Sequence, residues 1–352
     1  MDIPFYLAGK WVADHTGFSV RIDRTPYNNL PREVIFEVFA VSCGHSIYAL
    51  MGVVAIYFAL LKVGVSRRVS SVVGILLFAA GPISWYSVTG FAHAAGFLMA
   101  GLILLLGAWM VSSKRITAWQ VLLLGLAGGW ASVVRYPNLV YIVGFTTFLL
   151  IVGEGGLFAR LKRVILMGLG FFCVAAITPL YWYLSYGKVA NVHLGVNPYE
   201  LAFFPRIILS SPRGLFFWHP LFAVATVGIL ILLYKMFKKG VQTERPLCQL
   251  NLLGIMLFGM VAGFYNFYKE WGGGWAFGTR FLTGAVVFLV PGLAYLLMLV
   301  EKWKMGDGSS RLLASTIKPI FWLVGGYSYL LFILARAGLF YRSTEANVAV
   351  QL

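Results

Sequence analysis

The stretch KEWGGGWAFGTRFL, residues 269–282, places charged groups, tryptophans and glycines between two hydrophobic runs. A loop that only connects two membrane helices needs a few polar residues and a turn, so this composition favours a binding role. Arg280 stands where the loop passes into an apolar run, and the glycines before it let backbone N–H groups approach an anion. The alternative is an arginine that merely extends to the membrane interface. We interpret the stretch as part of a substrate site with Arg280 at its charged end.

Four more polar side chains lie at or near the ends of hydrophobic runs. Arg213, in SPRG, either binds the same anion or anchors the interface. Arg135, in SVVRYPNLVY, lies between two closely joined runs, where a cation is costly without a partner or a wet cavity. His93 and His219 each stand near the start of a run, where a single histidine is more often packed and hydrogen-bonded than catalytic.

The composition is that of a polytopic helical membrane protein. The chain is 60% hydrophobic and 11% charged, whereas soluble domains carry about 25% charged residues. Apolar runs of roughly 17–25 residues, the length that crosses a bilayer, recur along it. The net charge of +16 is spread over short clusters between the runs. These clusters form no basic face, so we expect no nucleic-acid partner.

The cysteine and histidine content indicates neither a disulfide framework nor a metal site. Cys43, Cys173 and Cys248 are odd in number and read as small hydrophobic residues. No spacing of His, Asp and Glu is typical of metal ligands. We therefore expect no tightly bound cofactor or metal; a divalent metal is compatible with the sequence but is not indicated.

The hydrophobic runs predict a single transmembrane domain over residues 1–352, an all-α bundle of about ten spans. Two joins, 88–92 and 134–138, are tight, and the fifth run is short enough to suggest a tilted or partly sunken helix. The predicted spans are 38–61, 69–88, 92–111, 117–134, 138–153, 163–184, 214–234, 249–267, 280–300 and 319–339.

The distribution of Lys and Arg orients these spans. More than half of the 28 lysines and arginines lie in alternate, short connections such as GVSRRVS and VSSKRIT. Such connections are cytoplasmic by the positive-inside rule. The outer segments are then 1–37, 185–213 and 268–280, with a short tail after 340. They hold most of the acidic residues and many aromatic ones, so we expect function on the extracytoplasmic face of a cell membrane.

The N-terminal segment is a second anomaly. Residues 1–37 are polar and aromatic and are predicted to lie outside, yet no span or signal peptide precedes them. We expect that the natural chain begins one transmembrane helix earlier.

Four stretches resemble a known family. SSPRGLFFWHPLF (210–222), WGGGWAFGTRFL (271–282), the more generic YLLMLVEKW (295–303) and, more weakly, DIPFY (2–6) are similar to segments of the GT-C superfamily of polyprenyl-phosphate-sugar-dependent glycosyltransferases. The likeness is to the bacterial branch close to protein O-mannosyltransferases. It covers most of the chain by topology and about forty residues by motif, with the first helix absent.

The resemblance implies transfer of a sugar from a polyprenyl-phosphate donor to an acceptor hydroxyl, with inversion at the anomeric carbon. A carboxylate must take the acceptor proton, and the resemblance points to Asp2, with Glu270 as the second choice. The alternatives are a solvated terminal residue for Asp2 and an ion pair with Lys269 or Arg280 for Glu270. Cations must bind the departing phosphate, a role that falls to Arg280, Arg213 and Arg135.

Aromatic residues and histidines complete the implied site. The tryptophans could instead only anchor the protein at the membrane interface, where Trp is common. An anchoring role, however, needs no flexible glycine loop. The predicted sugar or lipid contacts are Tyr6, Trp271, Trp275, Phe277, His93 and His219.

Two other functional classes stay open. A transporter or lipid flippase is one, although its usual internal repeats are not found and charged residues inside the spans are nearly absent. An inactive truncated GT-C remnant is the other. The sequence does not identify the sugar or the acceptor, which is a glycan, a lipid or a protein.

Overall fold

Long apolar runs fold as helices in a bilayer, because every backbone N–H and C=O must find its partner within the segment. The computed structural model describes residues 3–16, 32–87, 92–189, 204–210, 214–237, 245–266, 280–304 and 308–336, and these contain helices and turns without a β-strand. The predicted all-α class is confirmed for this part of the chain.

The helices follow one another closely along the chain. The 3-10 turns Tyr136–Val140, Arg280–Leu282 and Ala285–Leu289 lie before α7 and α14. The α-helices are α1 Ile3–Thr16, α2 Arg32–Lys62, α3 Arg67–Ala80, α4 Ile83–Tyr86, α5 His93–Val111, α6 Ala118–Val134, α7 Tyr141–Val152, α8 Leu157–Ala175, α9 Ile177–Tyr186, α10 Phe204–Leu209, α11 Leu215–Trp218, α12 Leu221–Phe237, α13 Arg245–Asn266, α14 Val290–Lys304 and α15 Gly308–Arg336.

Helices long and apolar enough to span a membrane are present, but the predicted count of ten is not confirmed. In the described ranges, five stretches are long and apolar enough to cross a membrane: Phe39–Lys62, His93–Val111, Leu157–Tyr186, Arg245–Tyr265 and Ala285–Lys304. Shorter apolar helices occupy four other predicted positions: Ala118–Val134, Tyr136–Val152, Leu221–Phe237 and Pro319–Leu334. The predicted span 69–88 coincides with α3, whose 14 residues extend only about 21 Å against a hydrocarbon core of about 30 Å.

Prolines explain two differences from the predicted spans. A proline has no N–H for the helical ladder and disfavours helical backbone in the residue before it. Predicted span 69–88 is therefore interrupted at Gly81–Pro82, between α3 and α4. Predicted span 214–234 is interrupted in the same way at His219–Pro220, between α11 and α12.

Apolar side chains on the outside of the bundle indicate a lipid environment. On α8, Ile165 and Leu169 are 63% and 64% exposed, and Phe172 is 56% exposed one turn later. In water such a face would oppose folding, whereas in a bilayer its exposure costs little.

Glycines let neighbouring helices approach closely. A Cβ on Gly129 of α6 would collide with the backbone of Phe171 on α8, and one on Gly170 would lie 2.8 Å from the Leu122 carbonyl oxygen. Helices α12 and α14 meet in the same way, at Gly228 and Gly292. Lipid is as apolar as the side chains, so this packing, and not the removal of apolar surface from water, holds such helices together.

Helices α2 and α5 define the two ends of the bundle. Ser112, just after α5, donates a hydrogen bond of 2.9 Å to the carbonyl of Lys62 at the end of α2. Midway along, the two backbones approach at Gly52 and Gly101. His45 precedes Lys62 by about 26 Å along the helix, at 1.5 Å per residue. The His45 end and the Lys62 end are thus separated by nearly the thickness of a hydrocarbon core.

The N-terminal segment contains a helix where a loop was expected. Residues 3–16 form α1, with Pro4 in its first turn, where a missing N–H costs nothing. Phe5 packs edge-on against Tyr48 of α2 at 5.5 Å between ring centroids and fills the space over Gly44. The start of α1 therefore lies beside the turn of α2 that carries His45.

Candidate anion-binding site at the His45 end of the bundle

Arg280 and His93 meet although 187 positions separate them. The Nε–H of Arg280 donates a 3.0 Å hydrogen bond to Nε2 of His93, the first residue of α5. An arginine N–H can only donate, so Nε2 accepts and the imidazole carries its proton on Nδ1. His93 is only 3% exposed, and the Tyr86 ring lies 4.5 Å from it.

A short turn presents Arg280 at this position. Residues Arg280–Leu282 form a 3-10 turn, and the hydroxyl of Thr283 donates a 2.8 Å hydrogen bond to the Arg280 carbonyl. Thr283 is fully buried, so this bond fixes the backbone on which Arg280 stands. The side chain of Arg280 is half-buried.

Arg135 reaches the same place from the end of α6. Pro137 prevents the helix from continuing, and Arg135 adopts an extended backbone with φ −147° and ψ 109°. The side-chain amide of buried Asn138 donates to the Ala131 carbonyl at 3.0 Å and secures the turn. The stem of Arg135 lies along α5, where a Cβ on Gly96 would be 3.2 Å from Cδ of the arginine.

Phe281 links the two arginines. Nη1 of Arg135 donates to the Phe281 carbonyl at 3.4 Å, and Nη2 donates to the hydroxyl of Tyr265 at 3.0 Å. The Tyr265 ring stacks on that of Phe281 at 4.5 Å between centroids. The Arg280 guanidinium lies 5.9 Å from the centroid of the same Phe281 ring. Both guanidinium groups are thus held around one aromatic pair, and we call Arg280, His93, Arg135, Tyr265 and Phe281 the arginine cluster.

The surroundings of Arg135 among the described residues favour an anion. Arg135 donates to a carbonyl and to a phenol, which satisfy hydrogen bonds but leave its charge unbalanced. Within the described ranges no carboxylate lies within salt-bridge distance of it; the ion pair found there joins Arg68 to Glu301. A half-buried guanidinium near hydrocarbon is costly unless an opposite charge or water accompanies it.

An apolar cavity of about 440 Å³ lies between the end of α6, the turn that follows it, α8 and α9. Its size is within the range of about 300–1,000 Å³ typical of small-molecule sites. Ser132 and Tyr136, which flank Arg135 in sequence, form one wall, and α8 and α9 form the other. The full lining is Ser132, Tyr136, Leu139, Phe172, Ala175, Ala176, Thr178, Pro179 and Trp182. A charged group at Arg135 and a hydrocarbon chain in this cavity would suit one amphiphilic ligand.

Of the predicted site residues, the structure brings Arg280, Arg135 and His93 together. His219 is buried elsewhere: its Nδ1–H donates to the Ala80 carbonyl at 2.8 Å, where it joins α3 to the start of α12. Tyr6 is 40% exposed on α1, next to Phe5. The remaining predicted residues lie outside the described ranges: Asp2, Arg213, Glu270, Trp271, Trp275 and Phe277.

Tyr265, Phe281 and Gly96 were not predicted from the sequence. Tyr265 lies in the run FYNFY at the end of a span, where aromatic residues are common in any membrane protein. The sequence feature that could have indicated these residues is that arginines and aromatic runs occur at span ends predicted to lie on the same side of the membrane. The described ranges contain no group of three or more His, Cys, Asp or Glu side chains placed to hold a metal ion.

Comparison with known protein families, with characterised proteins and with solved structures finds no significant match.

Proposed function

We propose that this protein is a membrane glycosyltransferase of the GT-C type, which transfers a sugar from a polyprenyl-phosphate donor to an acceptor hydroxyl. The observation that carries the proposal is the convergence of Arg135 and Arg280 at Phe281, together with an apolar cavity whose lining includes Ser132 and Tyr136, close to Arg135 in sequence. A prenyl-phosphate sugar has this same order of parts: a hydrocarbon tail, an anionic phosphate and a sugar.

The arginines stabilise the leaving group. As the bond between the anomeric carbon and the phosphate oxygen breaks, negative charge grows on the phosphate. Guanidinium groups hold phosphate oxygens through planar pairs of N–H donors and stay charged at any physiological pH. His93 acts on this step indirectly, because its hydrogen bond to Nε fixes the plane of the Arg280 guanidinium.

The acceptor hydroxyl attacks the anomeric carbon from the face opposite the phosphate, so the configuration inverts. The new bond joins the acceptor oxygen to the anomeric carbon, and the acceptor proton passes to a carboxylate. We assign this role to Asp2, with Glu270 as the second choice; both lie outside the described residues. The helix that follows Asp2 begins with Phe5 packed near His45, at the same end as the arginine cluster.

The sugar would be bound by aromatic side chains from the outer segments, with Tyr6, Trp271, Trp275 and Phe277 as the candidates. Arg213 is proposed as a further phosphate contact. The basic connections lie at the Lys62 end, so the positive-inside rule puts the arginine cluster on the extracytoplasmic face of the cell membrane.

The test is release of polyprenyl phosphate by the purified protein in lipid nanodiscs. A panel of polyprenyl-phosphate hexoses and pentoses is supplied with membrane-extract acceptors, and both released carrier and sugar transfer are measured. We expect consumption of one donor class, lost in Arg135→Gln. Arg160 is the matched control, because it also donates to backbone carbonyls, those of Leu150 at 2.7 Å and Gly155 at 3.2 Å, but away from the cluster.

Two results would contradict the proposal. One is equal turnover in the Arg135→Gln and Arg160→Gln variants. The other is binding of prenyl phosphate without consumption of any donor, which would favour the lipid-transport alternative.

A further inference from the structure

A second cavity lies at the Lys62 end of the bundle, opposite the arginine cluster. It is a groove of about 220 Å³ between α3, α14 and α15. Its lining is polar at one end and apolar at the other: Arg68, Glu301 and Lys304, then Val69, Val72, Leu76, Leu297, Val300, Phe321 and Trp322. We call it the α3–α14–α15 groove.

The single acid of the groove is already neutralised by its neighbours. Oε1 of Glu301 lies 3.5 Å from Nε of Arg68, and Oε2 accepts a 3.4 Å hydrogen bond from the hydroxyl of Ser66. Ser66 also caps α3, since its Oγ accepts from the backbone N–H of Val69 at 3.2 Å. Glu301 thus ties the start of α3 to α14 and holds the Arg68 guanidinium over the groove.

Positive charge is left over at this end. The ion pair engages Nε of Arg68, and its terminal nitrogens make no hydrogen bond to any described residue. Lys304, one helical turn beyond Val300, likewise has no described ionic partner. The N-terminus of α3 adds the positive end of a helix dipole. The described residues at the polar end of the groove therefore carry net positive charge.

The other end of the groove is apolar. Trp322 of α15 is 56% exposed along it, while Phe321 is buried against the core. Further along, α15 approaches α3 closely, since a Cβ on Gly325 would lie 3.3 Å from the Leu76 side chain. From Arg68 to Leu76 the groove runs about 12 Å along α3, less than the half-thickness of about 15 Å of a hydrocarbon core.

We propose that the α3–α14–α15 groove binds one anionic glycerophospholipid from the surrounding leaflet. The phosphodiester lies between Lys304 and the terminal nitrogens of Arg68, and an acyl chain follows Val72 and Leu76 under Trp322. Basic pockets between membrane helices are suited to acidic head groups. A zwitterionic lipid would bring its own cation to an end that already has excess positive charge, and a soluble phosphate would leave the apolar end empty.

Trp322 provides a direct probe of occupancy. The protein is placed in nanodiscs that contain either brominated phosphatidylglycerol or brominated phosphatidylcholine at equal mole fraction. The quenching of Trp322 is the difference between the intact protein and Trp322→Phe. We expect clearly stronger quenching by the anionic lipid. Soluble glycerol phosphate is expected to leave the quenching of Trp322 by the anionic lipid unchanged. If glycerol phosphate abolished this quenching, the groove would be a phosphate site, and the proposal would be overturned.

Charge variants sharpen the test. Lys304→Gln is expected to weaken the preference for the anionic lipid about fivefold, the effect of one basic residue near an anionic surface. Lys302 is the matched control, because it is an exposed lysine on the same helix that does not line the groove. An equal loss in Lys302→Gln would show a general surface effect. Equal quenching by both lipids in the intact protein would also overturn the proposal.

Discussion

The hydrogen bond between Arg280 and His93 allows a quantitative test of the arginine cluster. The two variants are His93→Leu, which removes the acceptor, and Arg280→Lys, which keeps the charge but loses Nε and the planar fork. A hydrogen bond to a charged group contributes about 1.5–3 kcal/mol. If that energy is realised in the transition state, each variant lowers kcat/KM by about 10- to 150-fold.

The double variant separates a shared role from two independent ones. The two residues act as one unit, so we expect kcat/KM of the double variant to be close to that of the worse single variant. The assay is release of polyprenyl phosphate per folded molecule. His219→Leu is the control, because it removes an equally buried histidine that bonds to a backbone carbonyl. If the loss of kcat/KM in the double variant equals the product of the two single losses, or if Arg280→Lys is fully active, the shared role is refuted.

Three other predictions follow from the described contacts. Tyr265→Phe removes the hydroxyl that accepts a hydrogen bond from Arg135. It is expected to weaken the binding of prenyl phosphate about tenfold, measured by titration. Unchanged affinity would contradict this prediction. Gly170→Leu is expected to destabilise the α6–α8 pair by about 1–3 kcal/mol, seen as a lower thermal midpoint. Gly168→Leu, on the same helix but with open space around it, is expected to change little. In a cysteine-free protein, cysteine at Tyr6 is expected to react with an impermeant label from outside and cysteine at Ser66 only after permeabilisation; the reverse pattern would overturn the orientation.

Hydropathy alone predicted the helical class and the approximate position of most of the apolar helices. It did not predict the breaks at Pro82 and Pro220, because both prolines lie inside runs that stay apolar on both sides. It also missed α1, whose helix is stabilised by packing of Phe5 on α2, a contact 43 residues away in sequence. Length and composition set the spans, whereas local backbone chemistry and tertiary contacts set where each helix ends.

The candidate site was only partly predictable. Arg280, Arg135 and His93 were each identified as polar residues at span ends, but nothing in their spacing shows that they meet at Phe281. Tyr265 was indistinguishable from an interfacial aromatic residue. His93 and His219 looked alike in sequence, and only the fold shows that one contacts an arginine and the other a backbone carbonyl.

The most direct measurement of the central claim is donor-dependent release of polyprenyl phosphate by the intact protein in nanodiscs, with Arg135→Gln and Arg160→Gln assayed in parallel. We expect that one class of polyprenyl-phosphate sugar is consumed, that Arg160→Gln retains this activity, and that Arg135→Gln loses it while staying folded. Consumption that is unaffected by Arg135→Gln, or no consumption of any donor by the folded protein, would contradict the central claim.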